Sequence, residues 1–187
     1  MNEADPTRRS LAGRTLESND LLGRHLVLVG LMGAGKTTVG RVLARRLDRE
    51  LIDSDLRIEA STGRTVKQIL ADEGVDELRR HEGAALTDAL GERTAAVIAA
   101  AGGVVLDAVH RDRLARSDTF VVWLDADPSS LGLRTLSREH RPWLDDDPAA
   151  TLQRMYDERE QLYREVADAI VVVTGLTPEE IADRIVA

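Results

Sequence analysis

Residues 25–38 read HLVLVGLMGAGKTT. The first five are apolar apart from His25 and show no polar alternation, the pattern of a strand buried on both faces of a parallel sheet. Gly30 ends the run, and Gly30–Thr37 matches G-x-x-x-x-G-K-[ST]. From Lys36 to Leu47, apolar Val39, Val42, Leu43 and Leu47 recur at helical spacing. Strand, glycine-rich turn and helix in that order form a cradle for phosphates. Glycines let successive backbone N–H groups turn inward, and the helix adds its positive end. Gly33, Ala34, Gly35 and Thr38 are therefore expected to line that cradle. Lys36 would supply a point charge to the β- and γ-phosphates, and Thr37 a hydroxyl to Mg²⁺. The ligands this motif asks for are ATP and Mg²⁺.

Working outward, the same alternation continues. Leu51–Ile52 reads as a second strand, Ala95–Ala100 as a third, Phe120–Leu124 as a fourth and Ala169–Val173 as a fifth. Between them lie helical stretches: 56 to about 91, broken near Ser61-Thr62-Gly63 and again near Gly74, then Val109–Arg116, Asp127–Ser137 and Thr151–Val166. Thr177-Pro-Glu-Glu opens a last helix with a capping residue, proline at the first helical position and acids in the first turn. Such a chain implies an α/β fold of three layers, a five-stranded parallel sheet covered by helices on both faces. Ligands of these folds bind at the carboxyl ends of the strands. Residues 1–23 are polar and aperiodic and read as a mobile tail, leaving 24–187 as one domain. Residues 138–148 carry two prolines and three consecutive aspartates and read as a mobile loop.

Asp53 and Asp55 follow the second strand. On an extended chain, residues i and i+2 project to the same side, so both carboxylates would face the phosphate loop. One could serve the metal, the other accept a hydroxyl proton. A helix N-cap, at Ser54 or Asp55, accounts for the same residues. Asp125 also ends an apolar run, and either a metal-side role or a cap ahead of Asp127-Pro128 would explain it.

Composition narrows the field. The chain has 187 residues, a formal net charge of −8, 43% hydrophobic residues, 3% aromatic residues and no cysteine. That acidity opposes nucleic-acid binding, and the scarcity of aromatics leaves no base-stacking platform. Without cysteine there are no disulfides and no thiolate metal sites, which fits a cytoplasmic protein. No apolar run nears the ~18 residues that span a membrane, and no signal-peptide core stands at the N-terminus. The N-K-x-D motif of guanine-nucleotide switches is absent. Lys36 is one of only two lysines in a chain that otherwise uses arginine for positive charge, which suggests a chemical need for lysine there.

Taken together, GLMGAGKTT, the LIDSD carboxylates, Thr62-Gly63-Arg64, Arg79-Arg80-His81-Glu82, Gly102–Gly103, Arg141-Pro-Trp-Leu and Arg159-Glu-Gln-Leu-Tyr163 form a familiar set. From about His25 to Val186 the chain resembles shikimate kinases, P-loop kinases of the nucleoside-monophosphate-kinase type. The resemblance implies transfer of the γ-phosphoryl group of ATP to the 3-hydroxyl of shikimate, by a monomer acting on a small molecule. It also implies roles. Asp53 would lie near Mg²⁺, and Asp55 would bind the acceptor hydroxyl and act as base. Arg79 and Arg159 would hold the shikimate carboxylate, with Glu82 orienting Arg79. Gly102 and Gly103 would bring backbone close to the acceptor. Arg141 would close on the phosphates as part of a lid at about 138–148, and Arg134 would stack near adenine.

Several positions depart from the family pattern. Ala101 replaces the first of three glycines, Leu70 and Leu78 stand where phenylalanines usually line the acceptor ring, and Trp143 is larger than the usual lid residue. All of these bear on the acceptor side, and they leave open another small hydroxy acid or polyol as acceptor. A nucleotide-binding protein without catalysis is the remaining rival; the joint presence of Lys36, Thr37, Asp53 and Asp55 argues against it.

Overall fold

A computed structural model describes residues 18–135 and 147–186. Five strands form one parallel sheet: β1 (His25–Val29), β2 (Leu51–Asp53), β3 (Val97–Ala99), β4 (Thr119–Asp125) and β5 (Ala169–Val172). Their order across the sheet is β2-β3-β1-β4-β5, so the strand that leads into the phosphate loop lies at the centre. Leu26 pairs with Val97 on one side and Phe120 on the other, and Val29 lies beside Trp123. All five residues of β1 are buried. That is why the strand shows no alternation: helices cover both faces of the sheet.

Among the described residues, seven helices surround it: α1 (Lys36–Arg46), α2 (Ser54–Thr62), α3 (Val66–Leu90), α4 (Ala108–Leu114), α5 (Pro128–Thr135), α6 (Pro148–Val166) and α7 (Pro178–Ile185). Both expected breaks in the 56–91 stretch are present. Gly63 ends α2 in the left-handed conformation, φ 68°, and α3 is kinked at Gly74, φ 84° and ψ −178°. Thr65 and Gln68 restart the helix with reciprocal capping bonds.

Two boundaries differ from expectation. Helix α2 begins at Ser54 rather than 56, because Asp53 itself caps it. Helix α6 begins at Pro148 rather than Thr151, because the Asp147 side chain accepts from Ala150 N–H and proline suits the first helical position. The expected loop therefore ends by residue 146.

The main core runs through both layers and is aliphatic apart from Phe120 and the stacked pair Trp123 and Tyr163, with ring centroids 5.7 Å apart. A second small core, Ile58, Ile69, Leu78 and Ala85, joins α2 to α3. It makes these two helices a unit of their own beside the sheet. Residues 1–17 of the expected tail, and most of the expected lid, lie outside the described residues.

Candidate active site

The phosphate loop leaves β1 through Gly30, whose φ of 140° and close approach to Leu124 C=O admit no side chain. An added Cβ would lie 2.6 Å from that oxygen. Gly33 and Gly35 also have positive φ, 88° and 95°. Gly35 is the N-cap of α1 and has no side chain to cap the first turn, so those N–H groups open toward the loop's hollow, as an anion site requires. Ala34 N–H is used by the loop itself, donating to Leu31 C=O at 3.2 Å. Lys36 Nζ donates to Gly30 and Leu31 C=O at 2.8 and 3.0 Å. Its ammonium thus lies across the mouth of the loop.

Thr37 Oγ1 donates to Asp53 Oδ2 at 2.6 Å. The other oxygen of Asp53 accepts from Asp55 and Leu56 N–H at 3.0 and 3.3 Å. One residue thus both caps α2 and contacts the phosphate loop, and the cap is Asp53, not Ser54 or Asp55. The extended i, i+2 geometry is not what orients the pair. Asp53 ends β2, and Asp55 already lies in the first turn of α2. A hydroxyl and a carboxylate oxygen in contact are hard oxygen ligands of the kind Mg²⁺ takes, so the residues present fit that ion.

Asp55 feels this whole neighbourhood. Its pKa is pushed up from 3.8 to about 6, first by desolvation and then by the Asp53 charge, with Lys36 opposing and Glu82 and Glu59 adding smaller upward pushes. The residue nonetheless presents accessible surface to solvent. The carboxylate is thus hemmed in by other groups on one side and open to solvent on the other. Desolvation sets the direction of the shift, and the neighbouring negative charges add to it.

On the far side of the cleft, Arg79 Nη1 donates to Glu82 Oε2 one helical turn away, and Glu82 is buried. The guanidinium rests against Gly103: a Cβ there would fall 1.5 Å from Arg79 Nη1. Gly103 is thus needed for the room it leaves Arg79, a role spacing did not suggest. Arg159, on α6, is buried. Arg159, Arg79 and Glu82 all act on the Tyr163 phenol, so α3 and α6 deliver their arginines to one place. Gly102 and Gly103 form the turn between them. Their carbonyls are engaged by Tyr163 O–H at 2.6 Å and Leu106 N–H at 3.0 Å.

Two expectations are corrected. Asp125 does not cap α5. Its carboxylate accepts from Tyr156 O–H at 3.2 Å, and Asp127 supplies the cap to Ser129 N–H. Leu78 is fully buried in the small α2–α3 core, whereas Leu70 is only half-buried against it. Of the pair, only Leu70 keeps a free face. Ala101 is buried just ahead of the glycine turn. Arg134 belongs to α5, but its side chain is outside the described structure, as are Arg141 and Trp143 entirely. Tyr163 is the site residue whose part sequence reasoning missed, although it closes the Arg159–Tyr163 stretch.

The chain as a whole has relatives among known proteins. A shikimate kinase family model matches residues 32–187. The shikimate kinase of Burkholderia lata is 47% identical over 152 residues, 81% of each chain. That of Halorhodospira halophila is 46% identical over 163 residues, 87% of this chain and 91% of the other. Among solved structures, the shikimate kinase from Acinetobacter baumannii in complex with shikimate superposes with a TM-score of 0.83 at 35% identity, covering 89% of this chain and 92% of that one. With its phosphate loop on the central strand and its paired arginines across the cleft, the chain belongs to the shikimate kinase family.

Proposed function

We propose that this chain transfers the γ-phosphoryl group of ATP to the 3-hydroxyl of shikimate, giving ADP and shikimate 3-phosphate. The observation that carries the reading is the placement of Asp55. Its carboxylate feels Lys36 of the phosphate loop on one side and Glu82, partner of Arg79, on the other. It is the group between the phosphate donor and the anion-binding arginines.

Each residue then has a task. The backbone of Gly33, Ala34, Gly35 and Thr38 surrounds the phosphates, and Lys36 leaves the loop carbonyls to neutralise the β- and γ-oxygens. Thr37 and Asp53 would hold Mg²⁺, which neutralises phosphate charge when bound. Arg79 and Arg159 grip the acceptor carboxylate, for which guanidinium forks are suited. Backbone at Gly102 and Gly103 lies alongside the ring. Asp55 takes the proton of the attacking hydroxyl as the new P–O bond forms, and the bond to the bridging oxygen of ADP breaks. Arg141 closes over the phosphates and Arg134 lies against adenine. All of these groups come from one chain, which supports action as a monomer. Among the described residues no helix is long and apolar enough to cross a membrane; with the cysteine-free composition and the ATP donor, this supports a cytoplasmic enzyme.

ADP release with shikimate, with related hydroxy acids and with a neutral polyol tests the assignment. Shikimate is expected to be the best acceptor, and Lys36→Ala to remove nearly all turnover while the fold persists. Equal turnover of the polyol would overturn the acceptor, and wild-type rates in Lys36→Ala would overturn the phosphate loop.

A further inference from the structure

One buried polar group beside the arginines has no task in this chemistry. Tyr163 is 0% exposed. Its ring lies against Trp123 at an interplanar angle of 25°, and a phenylalanine would fill that space equally well. A hydroxyl is costly to bury unless it is bonded, and here it donates to Gly102 C=O at 2.6 Å. Backbone bonds from Val104 N–H to Ala101 C=O and from Leu106 N–H to Gly103 C=O close the turn locally; the Tyr163 phenol ties it to α6. The turn lies between β3 and a short 3₁₀ turn at Val104–Leu106, and two successive glycines give it more conformational freedom than any other pair would.

The contacts around Tyr163 lead in two directions. Toward the acceptor, Gly102 is followed by Gly103, on which the Arg79 guanidinium rests. Arg159 lies one turn earlier on the same helix, and its charge acts on the phenol. Toward the donor, Trp123 pairs with Val29 in the sheet and lies against Gly30. Gly102 itself approaches Gly30 C=O: an added Cβ would lie 3.1 Å from it.

We propose that Tyr163 is a positioning residue: by bonding the Gly102 carbonyl beside Arg159, it fixes the acceptor-binding arginines at a set distance from the phosphate loop. This rests on the acceptor reading above. Burial pushes the phenol up to about 12, against the opposing pull of Arg159, so the hydroxyl remains a donor throughout the working range.

Tyr163→Phe keeps the ring and removes only that donor. Shikimate KM is expected to rise about tenfold, the scale of one lost buried hydrogen bond. ATP KM should stay within about twofold, and kcat should fall less than shikimate KM rises. The effect should be equal at about pH 6 and about pH 9, since the phenol does not ionise between them. Leu162→Ala, which removes a neighbouring packed side chain of α6, serves as the structural control and should lower Tm without this KM split. Wild-type turnover of shikimate together with an indifferent Tyr163→Phe overturns the inference alone. The same split in Leu162→Ala also overturns it, by reducing Tyr163 to packing. A wild type that phosphorylates no shikimate overturns the acceptor reading, and this inference with it.

Discussion

At the scale of single residues, the raised pKa of Asp55 has two opposite consequences. A base must be deprotonated, so kcat/KM should fall on the acid side with a midpoint near 6, the value to which Asp55 is pushed. Stability runs the other way. The folded state holds the Asp55 proton more tightly than the unfolded chain, so stability is lost as pH rises from the ordinary value of 3.8 through about 6. Asp55→Asn should therefore nearly abolish turnover while raising stability at neutral pH. Discounted for the open side of the carboxylate, the gain is about 1 kcal/mol, or ~2–4 °C in Tm. Melting curves at about pH 4 and pH 7.5 check it: the gain should be absent at the lower pH. Gly103→Ala is the converse case, harmful to binding without touching the reacting atoms. Its methyl would occupy the place of Arg79 Nη1. Displacing one charge-assisted fork should raise shikimate KM roughly 10- to 100-fold and leave ATP KM alone, by initial-rate kinetics. These residues were unevenly legible in the sequence. Lys36 and Thr37 stand in a motif whose spacing is itself the geometry. Asp53 was legible as a carboxylate beside the loop, but its double duty as cap and Thr37 partner was not, because both readings predict the same letter. The steric role of Gly103 depends on a side chain 24 positions away, and no local pattern carries it.

At the scale of elements, α3 is where sequence and structure agree most fully, down to the glycine that kinks it. Gly74 interrupts it at φ 84° and ψ −178°, a combination open essentially to glycine alone. Nothing lies within 4 Å of where a Cβ would be. Gly74→Ala should therefore cost only the backbone term, about 1–3 kcal/mol. Thermal melting should show Tm lower by roughly 3–10 °C. A loss of less than about 1 °C would mean that α3 straightens at little cost. The glycine breaks at 63 and 74 were readable because glycine is the usual answer to positive φ. The start of α6 was misplaced because a proline inside a polar stretch reads as loop until its capping Asp147 is seen in place. Asp125 was misread for a related reason: its partner, Tyr156, comes from α6, 31 residues on.

At the scale of the molecule, the sheet was legible almost strand for strand, since buried parallel strands announce themselves as unbroken apolar runs. Their order across the sheet is a matter of pairing, which no single run contains. A ligand that occupies the phosphate loop should stabilise the whole domain by mass action. ATP with Mg²⁺ at 100 times its Kd should add ~2.7 kcal/mol, roughly 5–10 °C in Tm. Thermal shift should show this in the wild type and nearly lose it in Lys36→Ala. The central place of β1 has a further consequence, for how the chain comes off the ribosome. The first strand to be synthesised waits longest for its neighbours. Its neighbours are β3 and β4, at residues 97–99 and 119–125, and β2, which follows it directly, pairs with β3 instead. At ~5–20 residues per second, HLVLV waits several seconds with both edges bare. Nascent chains stalled before residue 97 should need a chaperone, whereas those stalled past residue 125 should have little use for one.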